Sequence, residues 1–309
     1  MTSIQVLQDR ISSGELIILD GAIGTELERL GAPMHQDVWC GHALDTHPEL
    51  VSQVHQSYID AGADVITANT YATCHQALKL GGLEDKMEPW NALATQLACQ
   101  ARDASDRPVC VAGSVSTFMS TRGFAAEQLR PYFAEQAGIL ADNGADLLLL
   151  ETLGASAEVV GTAVEECLDF GLPVWVAVSC MEDRETGQVM HGVEESQKSD
   201  DARSSYEPLA SAINKIMSKG GSALLMMHSD LAVTEAAVKD MHANFAGPVG
   251  AYPNAGYWQR PQWTFVDQVS PADYVKSART WIAAGAQIIG GCCGIGPDHI
   301  RALNEELRR

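Results

Sequence analysis

The sequence predicts a single-domain (β/α)8 barrel over residues 1–309, and three observations lead to this prediction. The length suits one α/β barrel or two ordinary domains. A phrase made of a glycine, two small or acidic residues and an apolar run recurs along the chain. Eight apolar runs alternate with helical patterns. A doubly wound open sheet is the alternative, because periodicity does not show closure, but no G-x-G-x-x-G or P-loop pattern supports a nucleotide-binding sheet.

The predicted strands are short runs that are apolar on both faces, which is typical of buried parallel strands. They lie within residues 16–24, 61–70, 108–116, 143–152, 173–180, 220–229, 248–254 and 284–293. Helical patterns between them include 47–62, 125–144 and 233–245. Gly62, Gly144 and Gly285 stand where helices are predicted to end, since glycine adopts the left-handed cap without strain.

One polar segment departs from the simple repeat. Residues 181–210 follow the fifth predicted strand and are long and highly charged. We interpret them as an insertion in the barrel, and their length and composition fit a mobile lid and a disordered insertion equally.

Composition excludes several classes of protein. The net charge of −20 would repel a polyphosphate, so nucleic acid is not an expected partner. No run of 18 apolar residues occurs and the N-terminus lacks a signal-peptide pattern, which predicts a soluble, cytoplasmic protein without a membrane partner. Eight cysteines are too few for a disulfide scaffold in a chain of this length, which favours metal binding or thiol reactivity.

Polar residues stand at the predicted C-terminal ends of the strands, where barrels carry their chemistry. They are Asp20, Asn69, Ser114, Glu151, Ser179, His228, Asn254, Cys292 and Cys293. Glu151 directly follows the apolar run DLLLL, so if buried it needs a partner. A structural ion pair and a bound ligand are both compatible with that position.

The stretch IIGGCCGIGPDHI, residues 288–300, places two cysteines side by side at the end of the eighth strand. Neighbouring residues on a regular strand point to opposite faces, so the glycines must bend the chain if both thiols are used together. A catalytic zinc takes three protein ligands and leaves one position open. By residue type, His228 and Cys180 are the candidates for the third ligand.

Five motifs together resemble the homocysteine S-methyltransferases nearly end to end. They are DGAIGTELERLGA (20–32), HPELVSQVHQSYIDAGADVITANTY (47–71), NGADLLLLET (143–152), YPNAG (252–256) and GGCCGIGPDHI (290–300). The resemblance implies a barrel whose zinc is held by the cysteine pair and by a third cysteine in an Asn-Cys pair after strand six. Here Met227 and His228 occupy that pair, so the implied zinc ligands are His228, Cys292 and Cys293. Imidazole is a good zinc ligand, but it leaves the site one unit less negative than a third thiolate would.

The resemblance also implies a substrate pocket. Asp20 and Glu151 match the acids that hold the homocysteine amino group. The other implied substrate-binding residues are Gly21, Thr67, Asn69 and Asn254. No catalytic side chain is implied beyond the zinc-bound substrate thiolate.

The implied activity is zinc-dependent methyl transfer from a sulfonium donor, S-methylmethionine or S-adenosylmethionine, to the thiol of homocysteine, giving methionine. The alternatives are methyl transfer to another thiol or selenol, and a non-catalytic zinc- or thiol-binding relative. Tyr257, Trp258 and Trp263 are candidates to face the donor cation, although packing within their loop is the better explanation for any one of them. The partners expected are small molecules, and the oligomeric state stays open.

Overall fold

The computed structural model describes residues 2–119, 124–192, 206–259, 264–266 and 268–308. Eight parallel strands form a barrel. These are β1 Ile17–Ile18, β2 Val65–Thr67, β3 Cys110–Ser116, β4 Leu147–Thr152, β5 Val174–Glu182, β6 Ala223–Met227, β7 Val249–Tyr252 and β8 Ala286–Ile289. Hydrogen-bonded neighbours run in the order β1, β8, β7, β6, β5, β4, β3, β2.

The ring closes between β1 and β2. Leu19 and Val65 form a parallel bridge, and the Asp20 N–H donates to the Val65 carbonyl at 3.0 Å. The Asp64 N–H donates to the Ile18 carbonyl at 2.7 Å on the other side of that bridge. This closure confirms the predicted barrel and rules out the doubly wound open sheet.

Helices surround the barrel and close its lower end. They are α1 Ser3–Ser12, α2 Ile23–Arg29, α3 Ala43–Thr46, α4 Pro48–Ala61, α5 His75–Gly81, α6 Met87–Asp103, α7 Ala126–Asp142, α8 Ala157–Leu168, α9 Leu209–Met217, α10 Leu231–Asn244, α11 Pro271–Ala283 and α12 Pro297–Leu307. Short 3-10 turns lie at Cys40–His42, Tyr71–Thr73 and Glu84–Lys86. The predicted helices at 47–62, 125–144 and 233–245 are therefore confirmed. Gly62 ends α4 with a φ of 106°, as expected of a left-handed cap.

Alternation along the strands divides the core into two layers. Leu147 and Leu149 of β4 belong to the cluster inside the barrel, whereas Leu148 and Leu150 belong to the layer between strands and helices. Glu151 continues the inward row, so its carboxylate is directed to the mouth at the C-terminal end of the barrel. Leu7 of α1 packs into the opposite end of the inner cluster.

The polar segment at 181–210 is partly a sheet extension. β5 continues to Glu182 and pairs with an antiparallel strand, Val189–His191, which in turn pairs with Glu207–Pro208. Residues 193–205 of the predicted insertion and the donor-site candidate Trp263 lie outside the described residues. A separate antiparallel pair joins Tyr257–Gln259 to Thr264–Val266. Within the described residues, no helix combines the length and apolarity needed to cross a membrane.

Candidate metal centre and substrate pocket

The cysteine pair lies on a bent loop that only glycine permits. The chain leaves β8 after Ile289, and a Cβ on Gly291 would lie 2.1 Å from the Ile295 side chain. A Cβ on Gly290 would lie 2.9 Å from the Asp20 carbonyl oxygen. The bend lets both thiols face one point, with their Sγ atoms 3.9 Å apart. The sequence prediction that glycines bend the chain here is confirmed.

His228 reaches the thiols through a strained backbone conformation. The inward row of β6 ends at Met227, and the next residue takes a φ of 43°, which is rare outside glycine and costs about 1–3 kcal/mol. The turn places the His228 Nδ1 atom 3.5 Å from the Sγ of Cys292 and 3.5 Å from the Sγ of Cys293. These three residues form a group that could hold a metal ion.

Cys180, the other sequence candidate for a third ligand, lies elsewhere. Its side chain is fully buried in the layer between strands and helices, and its pKa is raised by burial. Ser179 precedes it and accepts a hydrogen bond from the Gly154 N–H at 3.2 Å. Strand alternation therefore directs Cys180 away from the mouth, and the metal-binding group found among the described residues does not include it.

Protons compete with a metal ion for the Sγ atoms of Cys292 and Cys293 and for the Nδ1 atom of His228. Contact with Cys293 and burial raise the pKa of the Cys292 thiol well above its usual value. Burial lowers the pKa of His228, but the charges of Cys293 and Glu151 outweigh burial and raise it overall. Metal ions bind deprotonated thiols and neutral imidazole, so binding here must release protons and weaken at low pH.

Asp20 is buried and held by Thr67. The Thr67 N–H donates to one carboxylate oxygen at 2.6 Å, and the Thr67 hydroxyl donates to the other at 2.9 Å. Burial nevertheless raises the pKa of Asp20 to about 7, and the nearby charge of Glu151 adds to the rise. Within the part of the chain that the structure describes, no positive group offsets this rise.

Glu151 is the second acid at the mouth. Its carboxylate accepts hydrogen bonds from Ser114 at 2.5 Å and from the Tyr252 hydroxyl at 3.3 Å. Burial raises its pKa, and these two hydrogen bonds only partly offset the rise. Among the described residues, neither Asp20 nor Glu151 takes part in a salt bridge. The charges of Glu151 and His228 nevertheless act on each other, since each shifts the pKa of the other group toward its charged form. A buried acid and a half-buried acid that form no salt bridge among the described residues make a suitable place for a ligand cation.

The other residues predicted for the substrate pocket keep neighbouring backbone segments in place at the mouth of the barrel. A Cβ on Gly21 would lie 2.2 Å from the Ile295 carbonyl oxygen, so this glycine allows two loops to approach. Asn69 exchanges hydrogen bonds with Cys40, donating to its carbonyl at 3.1 Å and accepting from its thiol at 3.2 Å. Asn254 accepts a hydrogen bond from the Cys293 N–H at 3.1 Å. Asn254 thus orients one of the two cysteines.

Sequence reasoning missed two aromatic residues at the mouth. Tyr252 ends β7 and binds Glu151; it stood in the YPNAG motif, and its place at a strand end was the available signal. Trp39 has a φ of 39°, and its ring lies over Gly24, where a Cβ would be 2.3 Å from the indole. No pattern in the sequence signals that conformation of Trp39.

The fold and the site define a closed α/β barrel whose mouth carries two thiols and an imidazole that could hold a metal ion, beside two acids that form no salt bridge within the described residues. Residues 17–307 match the family model of the homocysteine S-methyltransferases, and the chain belongs to that family.

Individual relatives agree over almost the whole chain. The chain is 27% identical to a selenocysteine Se-methyltransferase of Brassica oleracea var. italica, over 96% of this chain and 90% of the relative. It is 25% identical to homocysteine S-methyltransferase 2 of Arabidopsis thaliana, over 96% and 94%. The metallated form of the homocysteine methyltransferase MmuM from Escherichia coli superposes with a TM-score of 0.77 at 24% identity, covering 98% of this chain and 99% of that structure.

Proposed function

We propose that the protein transfers a methyl group from a sulfonium donor to the thiol of homocysteine, giving methionine, with zinc held by His228, Cys292 and Cys293. The observation that carries this proposal is the triangle of donor atoms beside two acids that form no salt bridge within the described part of the chain. Family membership supports the reaction class, and the donor atoms support the choice of zinc as the metal.

The spacing of the donors fits zinc. Zinc–sulfur bonds of 2.3 Å and zinc–nitrogen bonds near 2.05 Å in a tetrahedron require an S···S edge of about 3.8 Å and S···N edges of about 3.6 Å. The corresponding separations in the protein are 3.9 Å between the thiols and 3.5 Å from each thiol to the imidazole. Three protein ligands leave the fourth corner for a substrate thiol, as in catalytic zinc sites.

Bound at this corner, the thiol of homocysteine would be held as a thiolate by the metal. Asp20 and Glu151 would bind the ammonium group of the same substrate, and Thr67 fixes the Asp20 carboxylate in place. In the reaction, a new carbon–sulfur bond forms to the acceptor sulfur while the carbon–sulfur bond of the donor breaks. The bonding pair stays on the donor sulfur, which leaves as a neutral thioether, so no general acid is needed. The protein mainly aligns the two partners, which can lower a barrier by about 7–11 kcal/mol.

A selenol acceptor is the second candidate, and the selenocysteine methyltransferase among the relatives favours it. A selenol ionises more readily than a thiol, so it depends less on activation by the metal. Replacing a thiolate ligand by neutral His228 makes the bound acceptor sulfur less electron-rich, and a selenolate tolerates that loss better because it is the stronger nucleophile.

One pair of measurements tests the proposal. Elemental analysis should find one zinc per chain, and a single-turnover assay should transfer isotopically labelled methyl from S-methylmethionine or S-adenosylmethionine to homocysteine. Faster transfer to selenocysteine than to homocysteine would favour the second candidate. Zinc without transfer to either acceptor would indicate a non-catalytic zinc-binding relative, and failure to bind zinc would contradict the metal assignment.

A cytoplasmic location is part of the same proposal. All eight cysteines are free thiols, including the adjacent pair that the metal site requires. Thiols persist in this form in a reducing compartment.

A further inference from the structure

Two fully buried tyrosines reach the segment 290–296, which joins β8 to α12 and is called the cysteine loop, from the helices behind the barrel. Tyr58 stands on α4 and Tyr274 on α11, and both side chains have no exposed surface. Neither belongs to the substrate pocket described above. Each aims its hydroxyl at backbone carbonyl groups that flank the two cysteines.

Tyr274 links the ends of β7 and β8. Its hydroxyl donates to the Gly290 carbonyl at 2.7 Å and lies 3.5 Å from the Pro253 carbonyl. The same Pro253 carbonyl accepts a hydrogen bond from the Cys292 N–H at 2.9 Å. The ring of Tyr274 is fixed by the edge-on packing of Trp281, with centroids 5.3 Å apart.

Tyr58 links the cysteine loop to the turn that carries Asp20. Its hydroxyl lies 2.8 Å from the Ala22 carbonyl and 3.0 Å from the Ile295 carbonyl. The two loops are also joined directly, because the Ala22 N–H donates to the Ile295 carbonyl at 2.9 Å and the Gly291 N–H donates to the Asp20 carbonyl at 3.0 Å.

The cysteine loop by itself does not hold one fixed conformation. Glycine loses more conformational freedom on ordering than any other residue, and three glycines surround the cysteine pair at positions 290, 291 and 294. A flexible loop would have to be ordered when the metal binds, and this would weaken affinity. Hydrogen bonds from residues outside the loop order it before the metal binds, so the ordering no longer weakens affinity.

We propose that Tyr58 and Tyr274 are positioning residues that preset the spacing of Cys292 and Cys293, and that Tyr58 also sets the position of Asp20 relative to them. The metal part of this inference rests on the proposed function. The bracing of the loop does not, because it belongs to the metal-free protein.

The variants Tyr274→Phe and Tyr58→Phe remove only the hydroxyls. Thr162→Val is a matched control, since the Thr162 hydroxyl is buried on α8 and also donates to a backbone carbonyl, that of Glu158, at 3.0 Å. Amide hydrogen exchange of residues 289–296 is measured in the metal-free full chain, with β4 as the internal reference. Zinc affinity is then measured by chelator competition, and the absorption spectrum of bound Co²⁺ reports the ligand geometry.

We expect residues 289–296 to exchange roughly five- to tenfold faster in both tyrosine variants, the factor for losing one hydrogen bond, with β4 unchanged. Zinc affinity should fall roughly 10- to 100-fold, as it does when groups that orient metal ligands are removed, and more for Tyr274→Phe than for Tyr58→Phe. The control should change neither the exchange of this segment nor the affinity.

Three results would overturn the inference. Exchange at 289–296 equal to that of the control shows that the hydroxyls do not brace the loop. An equal acceleration in β4 shows only a global loss of stability. Faster exchange with wild-type zinc affinity and an unchanged Co²⁺ spectrum shows that bracing does not set the ligand spacing. Should the protein lack methyl-transfer activity, the proposed function fails, but the exchange and metal measurements still decide the role of the tyrosines.

Discussion

Replacing Asp20 with asparagine should stabilise the metal-free protein at alkaline pH. Burial raises the pKa of Asp20 from 3.8 to about 7, because the charged form is taken out of water and the hydrogen bonds from Thr67 offset only part of that cost. Asparagine keeps the shape and still accepts the Thr67 N–H, while its amide N–H can donate to the Thr67 hydroxyl oxygen. The substitution therefore removes the charge and preserves most of the hydrogen bonding.

The direction of the pH effect follows from proton binding. Between pH 4 and 7 the folded state holds a proton on Asp20 that the unfolded chain has released, so the free energy of unfolding falls as pH rises through this range. At about 1.4 kcal/mol for each pH unit, the ionised carboxylate costs about 4 kcal/mol above pH 7. Of this cost, about 3 kcal/mol develops between pH 5 and pH 8.

Urea denaturation of the metal-free wild type and of Asp20→Asn at both pH values measures this difference. The stability of the variant relative to wild type should rise by about 2–3 kcal/mol from pH 5 to pH 8. Asp146→Asn is a suitable control, because it removes the charge of an acid that is paired with Arg102 at 2.9 Å. If the wild type and Asp20→Asn show the same pH dependence, Asp20 is not strained in its charged form, and its pairing with a substrate ammonium loses its physical basis.

Three further predictions concern the metal and the substrate. His228→Ala should weaken zinc binding by more than roughly tenfold, whereas Cys180→Ser should leave it unchanged; the reverse order, measured by chelator competition, would assign the third ligand to Cys180. Glu151→Gln should weaken homocysteine binding by about 3 kcal/mol while zinc content stays at the wild-type level, and an unchanged dissociation constant would show that this acid serves the fold. His228→Cys should make the bound acceptor sulfur more electron-rich, so single-turnover methyl transfer to homocysteine by the zinc-loaded variant should rise; a slower rate would refute the charge argument.

The barrel was predictable because its pattern is local. The eight strands are short runs buried on both faces, and the glycines after the helices stand where left-handed caps are needed, so sequence neighbours alone identify these elements. The bend at the cysteine pair was predictable for the same reason, on the condition that both thiols are used together, since glycines on both sides allow the chain to leave the regular strand. The sequence also placed Asp20 and Glu151 at strand ends, which a parallel barrel brings to one mouth.

Tertiary structure decided which of these residues meet. Strand closure between Leu19 and Val65 involves residues far apart in the chain, and no periodic pattern encodes it. A φ of 43° turns the imidazole of His228 toward the thiols, while regular alternation keeps Cys180 in the outer layer, so only the folded chain favours His228 as the candidate third ligand. Tyr58 and Tyr274 lie on α4 and α11, away from the strand ends to which the sequence directs attention. Only the folded chain brings their hydroxyls to the carbonyl groups of the cysteine loop, because the contacts join segments separated by as many as 237 positions.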